Sequence, residues 1–224
     1  MIRVAVVLLV AAAVGGCGDS SSDEPLPPVE QVLAQVSEAM AAIASAEFEM
    51  SVSGAPVEIM GLEFLDANGT YAAPDRAQAI LTMDVSNLTI ALATISVGSR
   101  TWVTDPLTAQ WTELAAGIGF NPAILFGDDG WTALFSGVLT DPQIHGIEDG
   151  RYVITAIAPA DRVERLTAGV VTDQSVEIEF LIDRITGRLV AADFTTTGAE
   201  GATNWRIRLG PFDEPVEIEP PISG

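Results

Sequence analysis

Residues 29–52 read VEQVLAQVSEAMAAIASAEFEMSV and change period once. Val29, Val32, Leu33, Val36, Met40 and Ile43 recur at spacings of three and four with Glu30 and Glu38 between them, which is the stripe of an amphipathic helix of roughly four turns. After Ser45 the period is two: Phe48, Met50 and Val52 alternate with Glu and Ser, so one face of a strand is apolar and the other polar. A helix that runs directly into alternating strands must fold back over the apolar face those strands create.

The period of two continues downstream. Val57 and Ile59 flank Glu58, Ile80 alternates through Thr82, and Leu88, Ile90 and Leu92 alternate with Thr and Ala before Ile95, Val97, Trp102 and Trp111. Gly54-Ala55-Pro56, Asn68-Gly69, Pro74-Asp75, Gly98-Ser99 and Asp105-Pro106 punctuate these runs at intervals that suit an antiparallel meander with tight turns. Between Gly117 and Leu139 the pattern turns helical. Asn121-Pro122 opens a short turn carrying Ile124, Leu125 and Phe126, and Asp128-Asp129 is placed to cap a helix holding Trp131, Leu134, Phe135 and Val138. Strands are expected again at Ile144, Tyr152–Ile157, Val176–Ile182, Leu189–Phe194 and Trp205–Leu209, with a short helix around Val163 and Leu166. The stretch 183–188 reads as a hairpin loop in which Gly187 supplies a positive φ. The order predicts an α+β fold: one strongly curved antiparallel sheet, a half-barrel, with helices packed on its concave face. No linker-like stretch interrupts residues 29–210, and residues 29–224 are read as a single domain.

The 224 residues carry a formal net charge of -21 and are 48% hydrophobic, which is ample for a core. All ten basic residues are Arg. An excess of acid speaks against nucleic acid, whose phosphates are held through cationic side chains, and against electrostatic docking to anionic head groups. Any hold on a membrane must therefore be apolar.

The amino terminus offers such a hold. Met1-Ile2-Arg3 is a short positive segment, and Val4 to Val14 is an unbroken run of Val, Ala and Leu. At about half the ~20 residues that a spanning helix needs, the run reads as the core of a signal peptide, residues 1–16. Val14-Gly15-Gly16-Cys17 follows and resembles the bacterial lipobox, in which the cysteine receives the acyl chains. Cys17 is the only cysteine, so no internal disulfide can form. Residues 17–28 are then a lipidated Cys and a polar, Pro-rich tether, and the mature protein is expected to sit on the extracytoplasmic face of the membrane, held by two or three acyl chains.

Catalytic chemistry finds little material. His145 is the one histidine, read as a loop residue at a strand edge, and the chain lacks the G-x-S-x-G elbow of a nucleophilic serine. Glu177 and Glu179 share one face at period two and read as a solvated sheet surface rather than a pair of catalytic carboxylates. No catalytic residue, metal site or cofactor is expected.

The succession Val97-Gly98-Ser99-Arg100-Thr101-Trp102-Val103, Trp111-Thr112-Glu113-Leu114, Asn121-Pro122 through Gly130-Trp131-Thr132-Ala133-Leu134-Phe135, Gly150-Arg151-Tyr152 with Ile154-Thr155, and Phe180-Leu181-Ile182-Asp183 leading to Thr186-Gly187-Arg188-Leu189 resembles the LppX/LprG family of actinobacterial lipoproteins. The resemblance spans roughly residues 30 to 210. It implies a half-barrel related to the lipoprotein-carrier proteins, with a hydrophobic cavity between sheet and helices that takes the acyl chains of lipids or lipoglycans and carries them across the envelope. An export transporter is a candidate partner, and a monomer is expected. The acidic, lysine-free surface departs from any partnership that depends on shared charge.

The residues expected to line that cavity are Val36, Met40, Ile43, Met50, Val52, Ile90, Leu92, Trp102, Leu125, Phe126, Trp131, Leu134, Phe135, Ile154 and Phe180. Met40, Met50, Met60 and Met83 would add adaptable surface, and the stretch from Gly117 to Gly130 is the expected gate. The competing reading is a scaffold lipoprotein with the same fold packed solid and no ligand.

Overall fold

The computed structural model describes residues 25–59, 61–86, 88–115, 121–127 and 130–221. The signal segment, Cys17, most of the tether, Met60, Asp128-Asp129 and part of the Gly117–Gly130 stretch lie outside the described residues.

Helix α1 spans Val29–Ala41 and buries Val32, Leu33, Val36 and Met40, the stripe that its spacing dictates. It ends two residues before Ile43, which is nevertheless buried, on the path into the first strand. Twelve strands follow among the described residues: β1 Ser45–Gly54, β2 Glu58–Ile59, β3 Leu62–Ala72, β4 Arg76–Val85, β5 Leu88–Val97, β6 Arg100–Thr104, β7 Trp111–Glu113, β8 Thr140–Glu148, β9 Arg151–Ala158, β10 Val176–Asp183, β11 Leu189–Gly198 and β12 Gly201–Phe212. All lie in one antiparallel sheet of order β7-β6-β5-β4-β3-β1-β12-β11-β10-β9-β8, with β2 paired on β3. Two meanders are thus joined where the first strand meets the last. The sheet is open, a half-barrel with helices on one face, as its α+β pattern predicts.

The Asn68-Gly69 pair is not a turn. It lies inside β3, where Gly69 sits between Phe48 of β1 and Ala79 of β4. A Cβ there would fall 2.1 Å from the Gln78 carbonyl oxygen, so the glycine is required by the close approach of a neighbouring strand. Gly187 does take the positive φ expected of it, 69°, in the β10–β11 loop. There the Asp183 carboxylate accepts from the Ile185 and Thr186 amides and the Thr186 hydroxyl.

Topology delivers the helices to the concave face. The chain leaves the sheet at one edge, β7, and re-enters at the other, β8. The connection must cross the sheet, and it carries a 3-10 turn, Pro122–Leu125, and helix α2, Trp131–Phe135. The Asn121 side chain caps the 3-10 turn through the Ala123 amide. Position 130, immediately before α2, is Gly130, which makes no side-chain cap; a Cβ on it would meet the Leu125 carbonyl oxygen at 2.1 Å. A third helix, α3, Ala160–Leu166, bridges β9 and β10.

A single row of inward side chains crosses the sheet: Leu92, Leu81, Ala67, Met50, Ile207, Ala192, Phe180 and Ile154 face one another on successive strands. Over the β8 side of this row α1 packs on α2, with Phe135 of α2 meeting Phe180 edge-on at 5.0 Å. Toward the middle, Phe126 stacks on Tyr71 at 4.5 Å and tilts over Phe48 at 6.1 Å. The 3-10 turn touches β3 and β4. The far end of the row lies at Leu81 and Leu92, on the β4–β5 hairpin.

Candidate functional site

At that end of the row lies a cavity of about 320 Å³, between β2–β3, the β4–β5 hairpin and the β6–β7 hairpin. Its floor is the inward ladder of the β4–β5 hairpin, where Leu81 pairs with Leu92 and Met83 with Ile90. Ile59 and Leu62 close one side, and Val103 and Leu114 the other. Among its lining residues the polar side chains are Thr94, which is buried, Thr104, Thr112 and Asp105. Thr104 is engaged with the Ala93 amide, at 2.8 Å. Asp105 is turned onto its own loop, where its carboxylate accepts from the amides of Leu107 and Thr108 and from the Thr108 hydroxyl. The Thr108 amide first, then the Leu107 amide, hold this carboxyl below the ordinary carboxylate range. The walls therefore offer dispersion contact with no directional chemistry, which suits a hydrocarbon chain.

Ile90 and Leu92 were expected at a ligand site, and both line this cavity. Val36, Met40, Ile43, Met50, Leu125, Phe126, Trp131, Leu134, Phe135, Ile154 and Phe180 are instead buried together in the core between sheet and helices, and Val52 packs at its margin. Trp102 alternates with Val103 along β6; it lies buried beneath the Arg100 guanidinium, which sits 4.6 Å over its ring. Of the methionines expected to add adaptable surface, Met40, Met50 and Met83 all belong to the core, and Met83 also borders the cavity. Ile59, Leu62, Leu81, Val103 and Leu114 were not singled out. Leu81 was within reach of sequence reasoning, because folding the chain about Ser86-Asn87 places it opposite Leu92.

Two larger hollows, of about 720 and 570 Å³, lie on the opposite, polar face of the sheet. Glu177, Glu179, Asp193, Thr195, Asn204 and Arg206 line the first, and Glu47, Glu49, Asp66, Arg206 and Arg208 the second. Asp193 is ion-paired with Arg206 and Arg208. An acyl chain laid there would strip water from these charges and return nothing for it. His145 stands within the edge strand β8 rather than in a loop, with Nε2 2.7 Å from the Thr155 hydroxyl at the margin of this face. Among the described residues no group of three or more His, Cys, Asp or Glu side chains is placed to hold a metal ion, and no helix is long and apolar enough to cross a membrane.

Comparison with solved structures gives the same architecture. LprF from Mycobacterium bovis superposes with a TM-score of 0.61 at 19% identity, over 89% of this chain and 99% of that one. LppX from Mycobacterium tuberculosis gives 0.59 at 19% identity, over 85% of this chain and 98% of that one. At such identity the likeness is one of fold. A search of curated proteins gave no match. The LppX_LprAFG lipoprotein model, however, matches residues 29–218, from the start of α1 to the buried Ile218 beyond β12, and the chain therefore belongs to the LppX_LprAFG lipoprotein family.

Proposed function

We propose that this lipoprotein holds an acyl chain of a lipid or lipoglycan in the cavity between the β4–β5 hairpin, β2–β3 and the β6–β7 hairpin, and carries it across the aqueous space of the envelope while anchored through Cys17. The observation that carries the reading is the cavity itself: an apolar, open hollow of about 320 Å³ at the edge of the buried core. A methylene takes up about as much room as a water molecule in the bulk liquid, roughly 30 Å³, so this volume admits on the order of ten methylenes of one chain. At about 0.8 kcal/mol for each methylene withdrawn from water, such a chain gains roughly 8 kcal/mol before the costs of association. A ligand with more chains needs either a wider cavity or chains left outside it.

Titration with a fluorescent fatty-acid analogue tests the reading. Saturation at one probe per chain with competition by a neutral monoacylglycerol supports it; emission unchanged by the protein contradicts it and favours the solid scaffold. The anchor has its own test. Cys17→Ala should abolish incorporation of labelled palmitate and release the chain from the membrane fraction, and retention there would contradict lipidation.

A further inference from the structure

Resting on the acyl-carrier reading above, we infer that the mouth of the cavity is a membrane-contact lip, in which Val85, Leu88 and Leu107 enter the apolar margin of a bilayer so that a chain passes from leaflet to cavity without crossing water. The inward ladder of the β4–β5 hairpin does not stop where the cavity stops. Its pairs run Leu81 with Leu92, Met83 with Ile90, then Val85 with Leu88, all on one face. Leu81, Leu92 and Met83 are buried, at 6%, 9% and 1%, Ile90 is half-buried, and only the last pair, Val85 and Leu88, is exposed, at 37% and 65%. The floor of the cavity thus continues, residue for residue, into an exposed apolar tongue.

Leu107 stands beside this tongue. It follows Asp105 and Pro106, which line the cavity, and is 93% exposed. The hydrogen bonds of the Asp105 carboxylate to the amides of Leu107 and Thr108 fix the turn that holds it out. A lone exposed leucine needs no explanation, but a group that continues the wall of an apolar cavity does.

The occupant is a bilayer and not a folded partner. Three side chains fall far short of the roughly 1,200 Å² that a specific protein interface buries. A chain already tethered meets its membrane at a high effective concentration, so weak contact is enough. The twelve residues from Gly18 to Val29 extend to at most about 40 Å. A domain of this size has a radius of gyration of about 16 Å, so either end of the sheet can reach the surface. The segments around the lip, 58–63, 84–89 and 105–110, contain Glu58, Glu63, Asp84 and Asp105 and no arginine. Contact is therefore by insertion, with no preference for anionic lipid.

Ile185 supplies the internal control. It is 94% exposed on a turn built the same way, with the Asp183 carboxylate accepting from the Ile185 and Thr186 amides, but at the opposite end of the sheet. Leu107→Trp and Ile185→Trp, each made in the full lipidated chain, are reconstituted on phosphatidylcholine vesicles with and without bromine on the lipid acyl chains. The expected result is a loss of the added indole's emission at 107 in brominated vesicles, with the emission added at 185 the same in plain and brominated vesicles. Equal behaviour at the two positions would overturn the lip. Titration of the same variants with the fluorescent fatty acid separates the two proposals: quenching at 107 without fatty-acid binding keeps the lip and removes the carrier, and binding without quenching does the reverse.

Discussion

Replacing Ile90 by Phe should shorten the chain the protein accepts by about three carbons. Ile90 is half-buried on the cavity wall, paired with Met83, so a larger side chain there has the open volume to enter and need not displace packed core. The ring brings about three more non-hydrogen atoms, each standing where a methylene of the ligand would lie, so the loss is roughly 2.4 kcal/mol, or about fiftyfold in affinity, for any chain long enough to fill the cavity. The cleanest assay is a series of saturated monoacylglycerols of increasing length, used to displace a fluorescent acyl probe. For the parent protein the affinity should rise about fourfold per added methylene and flatten near ten carbons, where the volume of about 320 Å³ is used up. In the variant the rise should have the same slope and flatten about three carbons earlier, with short chains unaffected. Affinity independent of length, or a break point that Ile90→Phe leaves in place, would refute the assignment of this cavity to an acyl chain.

Two further predictions concern the scaffold. Gly69→Ala should lower the urea midpoint by an amount equivalent to about 1–3 kcal/mol, the range for overpacking, because the added carbon meets the backbone of Gln78 and Ala79, neither of which can swing aside; an unchanged midpoint would show that β3 and β4 separate easily. Asp213 joins the end of β12 to the start of β1, accepting from the Ala44 amide at 2.8 Å and from Arg188. The Ala44 amide first, and then Arg188, hold its carboxyl below the ordinary range, so its contribution is complete above the unfolded value of about 3.9 and fades as pH falls through the lower folded value. The stability difference between the parent and Asp213→Asn should therefore be up to about 1 kcal/mol at neutral pH, since both partners are partly solvated, and should shrink below about pH 4. A difference that grows on acidification would reverse the sign of the argument.

The strands and helices were legible in the sequence to the extent that their side chains are sorted by face. Phe48 and Met50 alternate with polar neighbours, and Ile90 and Leu92 with Thr and Ala, because one side of the sheet meets solvent, and α1 shows its stripe because one side of the helix does. Asn68-Gly69 misled because the same dipeptide serves a hairpin turn and a tight crossing of strands. Only the Gln78 carbonyl, nine residues further along, distinguishes the two. The cavity was less legible for a physical reason. Alternation tells which face a residue points to, but not which part of that face is covered. The cover is decided by where the connection from Leu114 to Leu139 lands as it crosses from one sheet edge to the other, and that is a long-range outcome. Residues such as Phe135 and Phe180 lie under the helices and close on each other, whereas Met83 and Ile90, of the same chemical type, border a hollow.

The most direct test of an acyl carrier is native mass spectrometry of the lipidated chain from its own host, purified without added lipid, beside Ile90→Phe prepared in the same way. The account predicts an adduct with the mass of an acylated molecule, retained under gentle ionisation, lost on collisional activation, and diminished or shifted to shorter chains in the variant. A parent protein that flies at the mass of its own modified polypeptide, with no adduct under the gentlest conditions, would contradict it.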